Sequence, residues 1–136
     1  MEKVFVDTNI IIDLLAKREP FYREAQDLFT LADKKEIKLF ISSLSFANAY
    51  YSIVKHHKSI EAKKFLLRFK VLVEILPLED KSIELALASN FEDFEDGLQY
   101  FVAIEFGCDT IITKNKKDFK NSTIPVMNAN EYLKRI

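Results

Sequence analysis

The sequence predicts a single-domain α/β fold of three layers, α/β/α, with a central parallel sheet and helices on both faces. Short apolar runs that read as buried strands (KVFV, KLFI, VLVEIL, TIIT) alternate along the chain with helical stretches. Only two Gly and three Pro punctuate 136 residues, so helices must dominate and loops must be short. At 15.8 kDa, with 49% apolar and 30% charged residues, residues 1–136 suit one domain with a real core.

KVFV (3–6) is the first strand. A helix is expected from about residue 9 to 18, stopped before Pro20, and a second from about 21 to 34. KLFI (38–41) is the second strand. Ser43 suits an N-cap for a helix reaching about residue 57, with Phe46, Ala47, Tyr50, Ile53 and Val54 on one face. SIEAKKFLLRF (59–69) continues helical, and VLVEIL (71–76) returns to strand. Helices follow over 80–90 and about 95–106, the latter closed by Gly107. TIIT (110–113) is the fourth strand, PVM (125–127) a fifth, and 129–135 a closing helix. No repeat, low-complexity tract or linker interrupts this order.

A net charge of −1 and a pI near 6.1 exclude a generally basic nucleic-acid coat, though not a local basic rim. A lone cysteine, Cys108, cannot form an internal disulfide and reads as a small buried apolar residue, which fits a reducing compartment. Strand-like sequence from Lys3 leaves no room for a signal peptide, and no apolar run approaches the ~20 residues of a membrane span. A cytoplasmic protein without a membrane partner is expected.

In open parallel sheets, ligands sit outside the carboxyl ends of the strands at a topological switch point. Three groups of polar residues fall on that edge. Asp7 ends the first strand; Asp93 and Asp96 open the sixth helix; Asn115 and Asp118 follow the fourth strand. Clustered carboxylates repel and raise one another's pKa, a conflict that a divalent cation removes. Oxygen-only donors suit a hard ion, Mg²⁺ or Mn²⁺, that keeps several waters. Such an ion stabilises charge on a phosphoryl group, which points to phosphodiester hydrolysis.

Each residue also has a plainer reading. Asp7 can cap the helix that follows it, Asp93 and Asp96 can form a capping pair, and Asn115 and Asp118 can be turn residues. Their common edge favours the functional reading. The adjacent His56 and His57 do not face together on a helix and read as helix-end residues. No Gly-rich phosphate loop exists. Lys114, Lys116 and Lys117 flank the acids, where they can contact a nucleic-acid backbone.

Four segments, VFVDTNIIID, ISSLSFANAYYSI, DFEDGLQYFVAIEFG and CDTIITKNKKDF, resemble those of PIN-domain proteins in order and spacing across essentially the whole chain. The resemblance implies a metal-dependent ribonuclease using Mg²⁺ or Mn²⁺, often the toxin of a toxin–antitoxin pair. Its implied partners are an RNA substrate, an antitoxin protein and a second copy in a homodimer. Carried over by position, Asp7 is the first metal-binding acid and Asp96 the third. Asp118 joins them as a catalytic acid, while Asn115, Asp93 and Thr113 support the cation site. Asn48 departs from the pattern, because many PIN nucleases carry glutamate there, although a branch of PIN-like proteins shares the asparagine.

Asparagine still offers a carbonyl oxygen to a metal or water but removes a negative charge. Asn48 is expected to look toward Asp7 and Asp96, so glutamate there is expected to strengthen metal binding. A PIN-like protein that binds RNA or protein without efficient cleavage is the competing reading. A haloacid-dehalogenase-like phosphatase needs an acid two residues after Asp7, where Asn9 stands. A receiver domain needs an aspartate ending the third strand, where the chain reads LPLED. Apolar surface near Phe21, Tyr22, Phe65 and Phe69 is expected to serve the homodimer.

Overall fold

Val4, Phe5 and Val6 are all fully buried, which is why the first strand is an unbroken apolar run rather than an alternating one. In the computed structural model, which describes all 136 residues, they lie at the middle of a sheet ordered β3-β2-β1-β4-β5 with every neighbouring pair parallel. The strands are β1 (Lys3–Val6), β2 (Lys38–Ser42), β3 (Glu74–Leu76), β4 (Thr110–Ile112) and β5 (Val126–Met127). The helices are α1 (Thr8–Leu15), α2 (Tyr22–Asp33), α3 (Ser43–Ile53), α4 (Ser59–Lys70), α5 (Asp80–Leu87), α6 (Phe94–Glu105) and α7 (Ala129–Arg135). A 3₁₀ turn, Lys116–Phe119, lies between β4 and β5.

Strand alternation divides the interior into two cores. Val4, Val6, Leu39, Ile41 and Ile112 pack with residues of α1, α2, α3, α4 and α7. Phe5, Phe40 and Ile111 point the other way, into a smaller core with Tyr100, Val102 and Ala103 of α6. These are the three expected layers. The chain runs outward from β1 through β2 to β3, then returns across the sheet to β4 on the other side of β1. The connections leaving β1 and β4 therefore diverge, opening a crevice at their carboxyl ends.

Several element ends differ from expectation. Helix α1 stops at Leu15, because Lys17 adopts φ 52° and the Lys17 and Arg18 amides turn back to the carbonyls of Leu14 and Asp13. Helix α2 closes the same way through Lys35 at φ 61°. Glycine is the usual residue in such left-handed caps, and only α6 uses it, at Gly107 with φ 72°. Helix α3 ends at Ile53 rather than near residue 57, and its N-cap is Ser42 rather than Ser43. Strand β3 is only Glu74–Leu76: Val71 is the C-cap of α4 and is 83% exposed, so it never enters the sheet.

Of the apolar residues expected at the surface, Phe21 is exposed. Phe69 is buried and Tyr22 and Phe65 are half-buried. The exposed apolar side chains include Tyr51 on α3 and Leu67 on α4, 66% and 71% accessible, beside a groove between the two helices. No helix is long and apolar enough to cross a membrane.

A buried polar chain fastens the elements around the crevice. Ser42 Oγ donates to Gln99 Oε1 (2.7 Å), and Gln99 Nε2 donates to Ser45 Oγ (2.9 Å). Ser45 Oγ in turn shares a 2.7 Å hydrogen bond with Thr8 Oγ1. The end of β2, the starts of α3 and α1 and the middle of α6 are joined through four side chains. Each buried hydroxyl here is satisfied by other members, so removing one member weakens the whole chain. Gln99→Met, which keeps the volume but takes one hydrogen-bond partner from each of two buried hydroxyls, should lower unfolding free energy by about 1–3 kcal/mol in a urea titration.

Candidate functional site

Asp7 is the residue after β1, and its amide still donates to the Ile112 carbonyl (2.9 Å), so the strand ladder fixes its backbone. Its side chain caps α1, with Oδ1 accepting from the Thr8 amide at 2.8 Å. Oδ2 accepts from Thr113 Oγ1 at 2.8 Å and from Asn9 Nδ2 at 3.4 Å. The capping and functional readings of this residue are therefore compatible, since each carboxylate oxygen has capacity for a further contact. Asp7 is only 8% exposed. Burial pushes its pKa up, the bonds from Thr113 and Thr8 pull it back, and the charges of Glu95 and Asp118 raise it again.

Thr113 is fully buried just past β4, with its amide bonded to the Met127 carbonyl. Besides holding Asp7, its Oγ1 accepts from the Asn115 amide at 3.2 Å, setting the turn into Lys116–Phe119. That turn carries Asp118. The Asn115 side chain makes no capping bond.

Asp93 is the N-cap of α6 and accepts from the Asp96 amide at 3.0 Å. Asp96 follows in the first turn, next to Gly97, where a Cβ would press to 3.3 Å from the Phe91 Cβ and 3.4 Å from the Ala86 Cβ. The missing side chain lets α6 lie close to α5 and so fixes the height of Asp96. Its pKa is pushed up to about 7, first by burial and then by the charges of Asp93, Asp7, Asp118 and Glu95. Asp93, Asp96 and Asp118 line a cavity of ≈ 320 Å³ together with Lys117 and Lys120.

Asp96 thus feels the charges of Asp7, Asp93 and Asp118, and no ion pair reaches Asp7, Asp96 or Asp118. The flanking lysines are divided. Lys114 does not face a backbone: it is drawn inward to Asp13 Oδ1 at 3.0 Å and stands 4.1 Å over the Phe21 ring. Lys116 pairs with Glu131 at 2.9 Å, leaving Lys117 on the cavity rim.

Asn48 does not meet Asp7 or Asp96. Its Nδ2 donates to Glu95 Oε1 at 2.8 Å, so the face expected to look at those aspartates meets a different acid. Sequence reading passed over Glu95, although it stands between Phe94 and Asp96 in the segment already singled out. Cys108 is buried as expected, and burial raises its thiol pKa to about 11.

The residues present fit a hard divalent cation. They are oxygen donors without a cationic partner, and the side-chain oxygen of Asn9, next to Asp7, is buried with no hydrogen-bond partner. No three carboxylates, imidazoles or thiolates converge closely enough to hold an ion by themselves. This suits an ion bound through one or two carboxylates that retains its waters.

With both Asp7 and Asp96 raised, the folded chain binds more protons than the unfolded chain between the ordinary carboxylate range and pH 7. The Asp96 contribution is present below that range and is lost as pH rises through about 7, and the raised pKa of Asp7 adds a contribution of the same sign. Without added metal, the melting temperature should fall between pH 5.5 and pH 8. Asp96→Asn should lessen that fall, as read by thermal melts of both proteins.

A family model described as "PIN domain" matches residues 3–117. Ribonuclease VapC1 of Aquifex aeolicus (strain VF5) is 32% identical over 142 residues, spanning 98% of this chain and 95% of that protein. VapBC2 from Rickettsia felis, solved with a DNA fragment of its promoter, superposes at a TM-score of 0.70 with 24% identity, covering 93% of this chain and 97% of that one. DNA-bound VapBC from Salmonella typhimurium gives 0.70 with 18% identity, covering 95% and 99%. Mycobacterium tuberculosis VapC20, described as a Sarcin-Ricin loop cleaving toxin, gives 0.63 with 16% identity, covering 79% and 86%.

Proposed function

The chain belongs to the PIN-domain family, and on that premise we propose that it is a divalent-metal-dependent endoribonuclease that acts as the toxin of a toxin–antitoxin pair. The observation that carries this reading is the set of carboxylates at the β1/β4 switch point with no cation paired to them. Asp7 and Asp96 are assigned to hold the ion, with Asp118 completing the catalytic acids. Mg²⁺ or Mn²⁺ suits these donors. The ion supplies neutralisation of the acids and of the charge that develops on the scissile phosphate.

The protein's own part is positioning. Thr113 and the Thr8 amide fix the rotamer of Asp7, and the Asp93 cap fixes the first turn of α6 beneath Asp96. Thr113 also holds the turn bearing Asp118, with Asn115 at its start. Lys117 and Lys120 on the cavity rim are suited to phosphates flanking the cleavage point, where they give affinity without sequence preference. An RNA substrate and the lack of a membrane-spanning helix are consistent with a place in the cytoplasm.

The antitoxin partner is supported by the toxin–antitoxin complexes among the structural neighbours. We assign it the groove between α3 and α4, lined by Phe46, Tyr50, Tyr51, Leu66 and Leu67 with Lys63 and Lys70 at its edges. That lining suits an apolar segment carrying acidic residues. Leu67→Arg should release a co-expressed antitoxin in size-exclusion chromatography while leaving the free toxin folded.

The competing reading, RNA binding without turnover, has Asn48 in its favour, because the amide removes a charge from α3. A cleavage assay on structured and single-stranded RNA with Mn²⁺ and Mg²⁺ separates the two. Metal-dependent cleavage is expected, and Asp7→Asn or Asp96→Asn should slow it by about 100-fold or more, as removal of charge stabilisation does elsewhere. Metal should also raise the melting temperature of the wild type and not of the double variant. Binding of RNA with no turnover at saturating Mn²⁺ would decide for the competing reading.

A further inference from the structure

Asn48 and Glu95 are forty-seven residues apart and sit on different helices, yet they form a side-chain hydrogen bond of 2.8 Å at the crevice. Asn48 is half-buried on α3, and Glu95 is exposed in the first turn of α6, beside Asp96. The polarity of the bond is fixed by chemistry. The amide nitrogen can only donate and the carboxylate can only accept. A glutamate at 48 would set two like charges against each other at this distance, whereas asparagine tethers the acid. Only one oxygen of Glu95 is engaged, so the other retains its full accepting capacity. The charge of Glu95 is felt at both Asp7 and Asp96.

We propose that Glu95 supplies to the cation site the carboxylate that position 48 lacks, and that Asn48 is the positioning residue that holds it. The acid stands on α6, and the amide that holds it stands on α3. The negative charge that asparagine at 48 removes from α3 is thereby restored from α6. This rests on the cation reading given above, and it changes what substitution at 48 does. Glutamate there competes with Glu95 instead of simply adding a ligand.

The test is a Mn²⁺ titration of the full chain, read by electron paramagnetic resonance of the free ion, for five proteins. Glu95→Gln should weaken binding by about tenfold or more, the size of loss seen when groups around a metal site are removed. Asn48→Ala should weaken it less, because Glu95 remains but is no longer held. The exchanged pair, Asn48→Glu with Glu95→Gln, keeps a carboxylate and an amide in contact with the roles reversed. It should recover most of the affinity that Glu95→Gln loses, which a merely structural role for either residue would not produce. Asp7→Asn should abolish binding and serves as the reference. Wild-type affinity in Glu95→Gln, with binding lost in Asp7→Asn, would overturn the role of Glu95 while leaving the cation site in place. Wild-type affinity in Asp7→Asn would overturn the cation site itself. An exchanged pair no tighter than Glu95→Gln would overturn the positioning role of Asn48. Circular dichroism of the variants at 48 and 95 should match the wild type, since both side chains lie at the surface of the crevice.

Discussion

The hydrogen bond from Thr113 to Asp7 crosses the one place in the sheet where strand order reverses, and the rest of the site is arranged around it. Burying a carboxylate is costly unless its oxygens are satisfied. Here one oxygen is met by the start of α1 and the other by the residue after β4. Because β1 and β4 are adjacent and in register, with Val6 opposite Ile112, the two residues that follow them are necessarily neighbours. The fold thus delivers donor and acceptor to the same point without any local motif linking them.

Once Asp7 is fixed, electrostatics governs what surrounds it. Two unit charges about 4 Å apart repel by about 4 kcal/mol near a protein surface. A domain is stabilised by only about 5–15 kcal/mol in total. A cluster of carboxylates is therefore costly to keep fully ionised, and at Asp96 burial first and the neighbouring acids second push the pKa up to about 7. The buried Ser42–Gln99–Ser45–Thr8 chain keeps α1, α3 and α6 from separating to relieve this repulsion. In the proposed site a bound cation would relieve that repulsion, and the hydrogen-bonded frame withstands it in the cation's absence.

Helix capping and the proposed site coincide at several residues. Asp7 caps α1, Asp93 caps α6 and Ser42 caps α3, all at the edge where the crevice opens. A parallel sheet puts helix starts and strand ends on one edge, so a residue that begins a helix is also one that can face a ligand. The two readings of each acid were never exclusive. By contrast, Lys114 looked like a backbone contact in the sequence and is instead the inward partner of Asp13 and Phe21.

The strand order in sequence, the helix starts and the edge on which the acids fall were determined by the sequence, because each rests on neighbours within a few residues: apolar runs, a side chain capping the next amides, and alternation of strand with helix. Helix ends were less legible. Lys17 and Lys35 adopt the left-handed conformation that glycine usually marks, and nothing in their side chains announces it. Strand β3 was overestimated because VLVEIL is apolar throughout, while the need to turn out of α4 consumes its first residues. Only the tertiary structure decided the partners of Asn48, Glu95, Lys114 and Gln99. Those contacts join residues forty-seven to more than a hundred positions apart, and a periodic pattern carries no record of which helix face will meet another across the crevice.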